Sequence, residues 1–135
     1  MRPLSVVTCL FALLSTGCSG DDGSCIEVTA DCAPLYQPTF DNVFSRTLQP
    51  TCGIAGASCH ASEGAQGGIV FDTIDQSYQL IVTDRALVDT TDIGCSDLLR
   101  RTESTDSSFV MPPGGQLSEA ERCAIRQWVD NGAAR

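Results

Sequence analysis

Four side chains in this sequence have sulfur or metal-ligand chemistry in a setting that suits its use. Three lie in the stretch 50–60: Cys52, Cys59 and His60. His60 is the only histidine of the chain and follows Cys59 directly, and six residues separate the two cysteines. The fourth is Met111, the only methionine besides Met1, in the run Phe109-Val110-Met111-Pro112-Pro113. A neutral imidazole and a thioether are both good ligands for iron. A loop between prolines and a polar run is an odd place for a flexible gap-filling methionine, and the prolines give that loop the rigidity a ligand on a loop needs. Between Cys52 and Cys59 the residues are small apart from Ile54, so the segment can bulge without strain. It can bring both sulfurs to one ligand or close on itself as a disulfide.

A Cys-His ending with a second cysteine upstream is the close of the pattern by which two sulfurs hold haem vinyl groups and the histidine ligates iron. The usual spacing places two residues between the cysteines, and here there are six. The rival reading of the same cysteines is structural. Eight cysteines in 135 residues point to an oxidising compartment. Six of them follow Cys18, and the bridges Cys25–Cys32, Cys52–Cys59 and Cys95–Cys123 would use all six.

Other chemistries find less support. The net charge is −9, there is no lysine, and the largest basic run is Arg100-Arg101, which argues against nucleic acid as a partner. No Cys/His set has four-ligand zinc spacing. The glycine-rich segment 64–68 has no Lys-Ser/Thr ending, so it is not a phosphate loop. With its single histidine assigned to iron, the chain offers no Ser-His-Asp arrangement, and an enzyme is not expected.

The elements that must position these side chains follow from periodicity. Residues 1–17 have a positive start and an apolar run too short to span a bilayer, and read as an export signal. Ser15-Thr16-Gly17-Cys18 is similar to the lipobox of bacterial lipoproteins, in which the cysteine is acylated; Cys9 would leave with the leader. Residues 18–37 would then be a flexible tether and a Cys25/Cys32 loop. A first helix starts at the N-cap Thr39, buries Phe40, Val43, Phe44 and Leu48, and should stop at Pro50. Ile69-Val70-Phe71 is expected to be extended. Thr73-x-x-Gln76 reads as a capping box for a second helix with Ile74, Tyr78, Ile81 and Val82 inward, and Ser96 caps a short third. Ser118 and Glu121 form a capping box for the last helix, which buries Ala124, Ile125, Trp128 and Val129 and ends at Asn131-Gly132. Tyr78, Arg100 and Arg101 are candidates for pairing a cofactor carboxylate, against plain core or surface roles.

Together, Cys59-His60, Gly67-Gly68 before an apolar run, Met111-Pro112, and Leu117-Ser-Glu-Ala-Glu-Arg-x-x-Ile-x-x-Trp-Val-x-x-Gly-Ala133 resemble the small c-type cytochrome domain of exported myxobacterial and planctomycete proteins. The resemblance covers residues 38–133. It implies an all-α, cytochrome c-like fold of three to four helices with long loops over 38–135, with the first and last helices packed near the haem. It implies haem c as cofactor, Cys52 and Cys59 as thioether positions, and His60 and Met111 as axial ligands. The expected protein is a haem-binding electron-transfer lipoprotein. It would be anchored through Cys18 on the periplasmic or outer-membrane side and serve a redox partner protein. The alternative is a haem-free, disulfide-stapled surface lipoprotein acting as a binding or structural module.

Overall fold

A computed structural model of the chain describes residues 23–54 and 59–135. The export signal, Cys18 and the start of the tether lie outside the described residues, as does the middle of the Cys52–Cys59 loop. The described residues form a helical fold with no strand, in keeping with the all-α expectation. Helix α1 spans Phe40–Val43 and runs on as wide π-type turns over Phe44–Cys52. Helix α2 spans Ile74–Tyr78 and continues in the same way over Gln79–Asp84. Helix α3 is Asp97–Glu103 and α4 is Glu119–Asp130. Short 3-10 turns occupy Gln66–Gly68 and Ile93–Cys95. No helix among the described residues is long and apolar enough to cross a membrane.

The core is built from the apolar stripes that the sequence marks. Phe40 is fully buried and meets Tyr78 edge-on at 5.0 Å, Trp128 at 5.1 Å and Phe44 at 6.2 Å between ring centroids. The first and last helices are therefore joined through aromatic contact, and α2 meets the first helix through Tyr78. Thr39 caps α1 by accepting from the Asn42 N–H. The Ser118–Glu121 capping box of α4 is complete in both directions.

Three local expectations are corrected. Pro50 does not stop the first helix: it forfeits only its own N–H, and the Gly53 N–H closes the turn beyond it on the carbonyls of Leu48 and Gln49. Thr73 precedes α2, but its hydroxyl donates to the Gln76 side chain and caps nothing. Ser96 begins α3 without a capping bond, because its hydroxyl is taken by the backbone of Asp89.

The largest correction concerns the disulfides. The expected local bridge Cys25–Cys32 and the expected Cys95–Cys123 tie to the last helix do not form. Cys25 is joined to Cys95 and Cys32 to Cys123, across 70 and 91 positions. The N-terminal segment is thus a strap laid across the helices, so its cysteines meet distant partners before each other. Ile26 N–H donates to the Gly94 carbonyl, and a Cβ on Gly94 would stand 2.1 Å from the Ile26 oxygen. Only glycine lets the strap lie this close. Further along, the Gln127 amide donates to the carbonyls of Ala30 and Cys32. In the chain-entropy view, closing loops of this length restricts the unfolded chain by on the order of 4 kcal/mol each.

A clamp of charges holds α3 to α4. Glu103, little exposed, accepts from Arg122 at 3.0 Å and from Arg126 at 2.8 Å. Gln116 adds bonds to the carbonyls of Glu103 and Ser104, fixing the chain between Met111 and α4.

Two outcomes test this architecture. Phe40→Ala removes the ring shared by α1, α2 and α4 and should cost about 3–5 kcal/mol in denaturant unfolding. Cleavage after arginine without reduction should yield the peptide ending at Arg46 linked to both 86–100 and 123–126. If that peptide is recovered unlinked, with 86–100 joined to 123–126, the strap is wrong.

Candidate functional site

The widened end of the first helix delivers Cys52 to the edge of the core, where it is half-buried. Gly53 follows, itself buried, and a Cβ there would meet the Phe71 carbonyl oxygen at 2.7 Å. The segment 69–71 runs directly against this turn, extended at Ile69 as expected, with Phe71 buried. His60 is stitched between the two: its N–H donates to the Cys52 carbonyl at 3.1 Å, and its carbonyl accepts from the Phe71 N–H at 2.7 Å. The backbone therefore brings Cys52 and His60 side by side across the intervening loop.

The imidazole is oriented as well as placed. Its Nδ1 lies 3.4 Å from the Ile69 carbonyl oxygen, and its ring stands edge-on to Phe71 at 5.5 Å. A carbonyl beside Nδ1 selects the tautomer protonated there, which leaves Nε2 with its lone pair. This is the usual support of a metal-ligating histidine, whose second nitrogen donates to a carbonyl or carboxylate.

Met111 arrives from the opposite direction in sequence. Its N–H donates to the Arg101 carbonyl at 2.9 Å, so the Met-Pro loop is pinned to α3. The peptide before Pro112 is cis. Gln116 and the Glu103 clamp hold the far side of this loop.

These residues share one space. A cavity of about 570 Å³ is lined by Cys52, Cys59, His60 and Met111 together. Leu48, Ile69, Phe71, Leu87, Leu98 and Leu117 supply apolar wall, and Arg85 and Arg101 supply charge. This size lies within the range of sites for small organic ligands and cofactors, which combine apolar walls with a few polar groups. All four residues expected to hold a cofactor are thus brought together.

Cys52 and Cys59 are both free thiols, so the bridge between them that would complete three disulfides is not formed. Burial, with a smaller contribution from the nearby Cys59, pushes the Cys52 thiol up to about 11. It stays protonated and unreactive toward polar electrophiles at neutral pH, whereas Cys59 is exposed. Among the described residues, the only His/Cys/Asp/Glu group close enough to surround one ion is Cys25, Asp92 and Cys95, where both sulfurs belong to a disulfide. Cys52, Cys59 and His60 do not close on a point. They line a wall, which suits a ligand large enough to touch all three.

The remaining candidates separate. Tyr78 donates to the Ala133 carbonyl at 3.1 Å and does not line the cavity, so it holds the C-terminus instead of a cofactor carboxylate. Arg100 turns away, donating to the Ser24 carbonyl at 2.8 Å and pairing with Asp97. Arg101 faces the cavity. Arg85 also lines it, and no local pattern marks it, since an arginine just past a helix end carries no signal of a ligand. Comparison of the chain with family models, with curated proteins and with solved structures returned no match.

The thiol chemistry can be checked directly. In folded protein with both staples intact and nothing attached to Cys52 or Cys59, iodoacetamide at pH 8 should modify Cys59 first. Labelling of Cys52 should accelerate about tenfold per pH unit until pH approaches 11, as the thiolate fraction rises. Equal labelling of both cysteines at pH 8 would contradict the buried Cys52.

Proposed function

We propose that this chain is a haem-binding electron-transfer lipoprotein of the cytochrome c type. The observation that carries the reading is the convergence of Cys52, Cys59, His60 and Met111 on one apolar-walled cavity, although Met111 lies far along the chain from the other three. The donor set fits the group: one imidazole and one thioether for iron, two thiols for vinyl carbons, and arginines for carboxylates. The six-residue separation of the cysteines is bridged by the His60–Cys52 backbone bond, which keeps both ends of the loop on the same wall.

Bound haem would supply a one-electron ferric/ferrous couple. His60 presents Nε2 because the Ile69 carbonyl occupies its other nitrogen. Met111 faces the cavity from a loop tied to α3, which favours a fixed ligand over a mobile one. Leu48, Ile69, Phe71 and Leu98 exclude water, which lowers the local dielectric around a changing charge. His60 and Met111 would both hold the iron, which would leave no ligand position for a substrate, so the role would be electron transfer to a partner protein. The leader, acylation at Cys18 and the following tether would hold the domain at the periplasmic or outer-membrane surface.

An absorption spectrum of protein exported from a host with cytochrome c maturation machinery tests the reading, repeated after acid-acetone extraction. A Soret band that survives extraction is the expected result, and His60→Ala should abolish the visible spectrum while export continues. A band lost on extraction would mean haem held by His60 and Met111 without thioether bonds. No band from well-folded wild-type protein would overturn the proposal and leave a haem-free, disulfide-stapled binding or structural module.

A further inference from the structure

Seven arginines lie among the described residues. Four are matched with acids: Arg100 with Asp97, Arg122 and Arg126 with Glu103 and Glu119, and Arg135 with Asp41 and Asp75. Arg46 lies over the Tyr36 ring. The remaining two, Arg85 and Arg101, have no ion-pair partner among the described residues, and both line the cavity. The chain holds 17 acids against 8 bases, so carboxylates to pair with them are abundant. The one acid on the cavity wall, Asp97, is engaged by Arg100.

Both guanidiniums are held in ways that leave donors free. Arg101 lies over Phe109, with Cζ 4.1 Å from the ring centroid. The ring accepts no conventional hydrogen bond from it, so its N–H groups stay available for a carboxylate, which a guanidinium binds in bidentate fashion. Its own carbonyl receives the Met111 N–H, so any ligand group it holds is set in register with the thioether. Arg85 follows the second helix, tied by its N–H to the Leu80 carbonyl, and its head lies over the turn at Gly68. Gly68 has φ +70°, and a Cβ there would stand 3.3 Å from Arg85 Nη1. Its neighbours Gln66 and Gly67 line the same cavity.

We infer that Arg85 and Arg101 form the anion end of this cavity, holding two carboxylates of its ligand. Resting on the haem reading, this assigns the two propionates to these residues. The arginines reach the cavity from separate elements, one past the second helix and one on α3, so two separate carboxylates on one ligand suit them. Arg85 is exposed and Arg101 half-exposed, placing the charged edge of the ligand toward solvent and its apolar body against the leucines.

The test is an absorbance titration of the mature full chain, exported without attached haem, with haemin and with haemin dimethyl ester. The ester keeps the iron and the ring but carries no carboxylate. Wild type should bind haemin at least about tenfold more tightly, the value of one charge-assisted hydrogen bond. In the double variant Arg85→Gln/Arg101→Gln the preference should fall to within about threefold. Equal affinity of wild type for the two porphyrins would overturn this inference alone, as would an undiminished preference in the double variant. Failure of wild type to bind either would overturn the haem reading and this inference with it. The comparison in wild type decides the matter even if the double variant does not fold.

Discussion

The strap formed by residues 23–36 and its two disulfides is the constraint on which the rest depends. The helices are short, from four to twelve residues before their π-type extensions, and such helices do not persist alone in water. The core that joins them is small and centred on Phe40 and Trp128. Cys25–Cys95 anchors the start of the strap beside α3, and Cys32–Cys123 anchors its end on α4. Together they link the N-terminal segment to the two helices that the Glu103 clamp also joins. Long loops are allowed elsewhere because these covalent ties carry the burden that further core would carry in a larger domain.

This division of labour shapes the cavity. Four cysteines are consumed by the strap, which leaves Cys52 and Cys59 as thiols on the cavity wall. The walls around them come from elements with no disulfide between them: the end of the first helix, the segment 59–71, the stretch 85–87 past the second helix, α3 and the Met111 loop. What orders them is a short set of backbone bonds, His60 to Cys52, Phe71 to His60, and Met111 to Arg101. An organic ligand filling the space would add contacts to all five elements, so the proposed cofactor would also complete the core.

Much of the fold could be read along the chain. Helix positions, the inward faces of the first and last helices, the Ser118–Glu121 box and the turn at Gly132 follow from periodicity and capping, which are local properties. The elements misjudged were those with two local solutions. Pro50 usually ends a helix, but the next free N–H can reach back over it. Thr73 and Ser96 are good capping residues whose hydroxyls found nearer partners. Phe71 sits where an apolar run suggests, yet the need for Gly53 beside it appears only once the two segments meet.

By itself, the sequence determined the helical class, the core stripes and the residue types at the candidate site, because each depends on neighbours within a few positions. Tertiary structure alone decided the cysteine pairing, since Cys25 and Cys32 suit each other locally and only the course of the strap sends them to Cys95 and Cys123. It also separated Arg101 from Arg100, and brought Arg85 to the cavity. Which arginine meets an acid and which is left on the cavity wall depends on where distant carboxylates come to rest, and no local pattern encodes that.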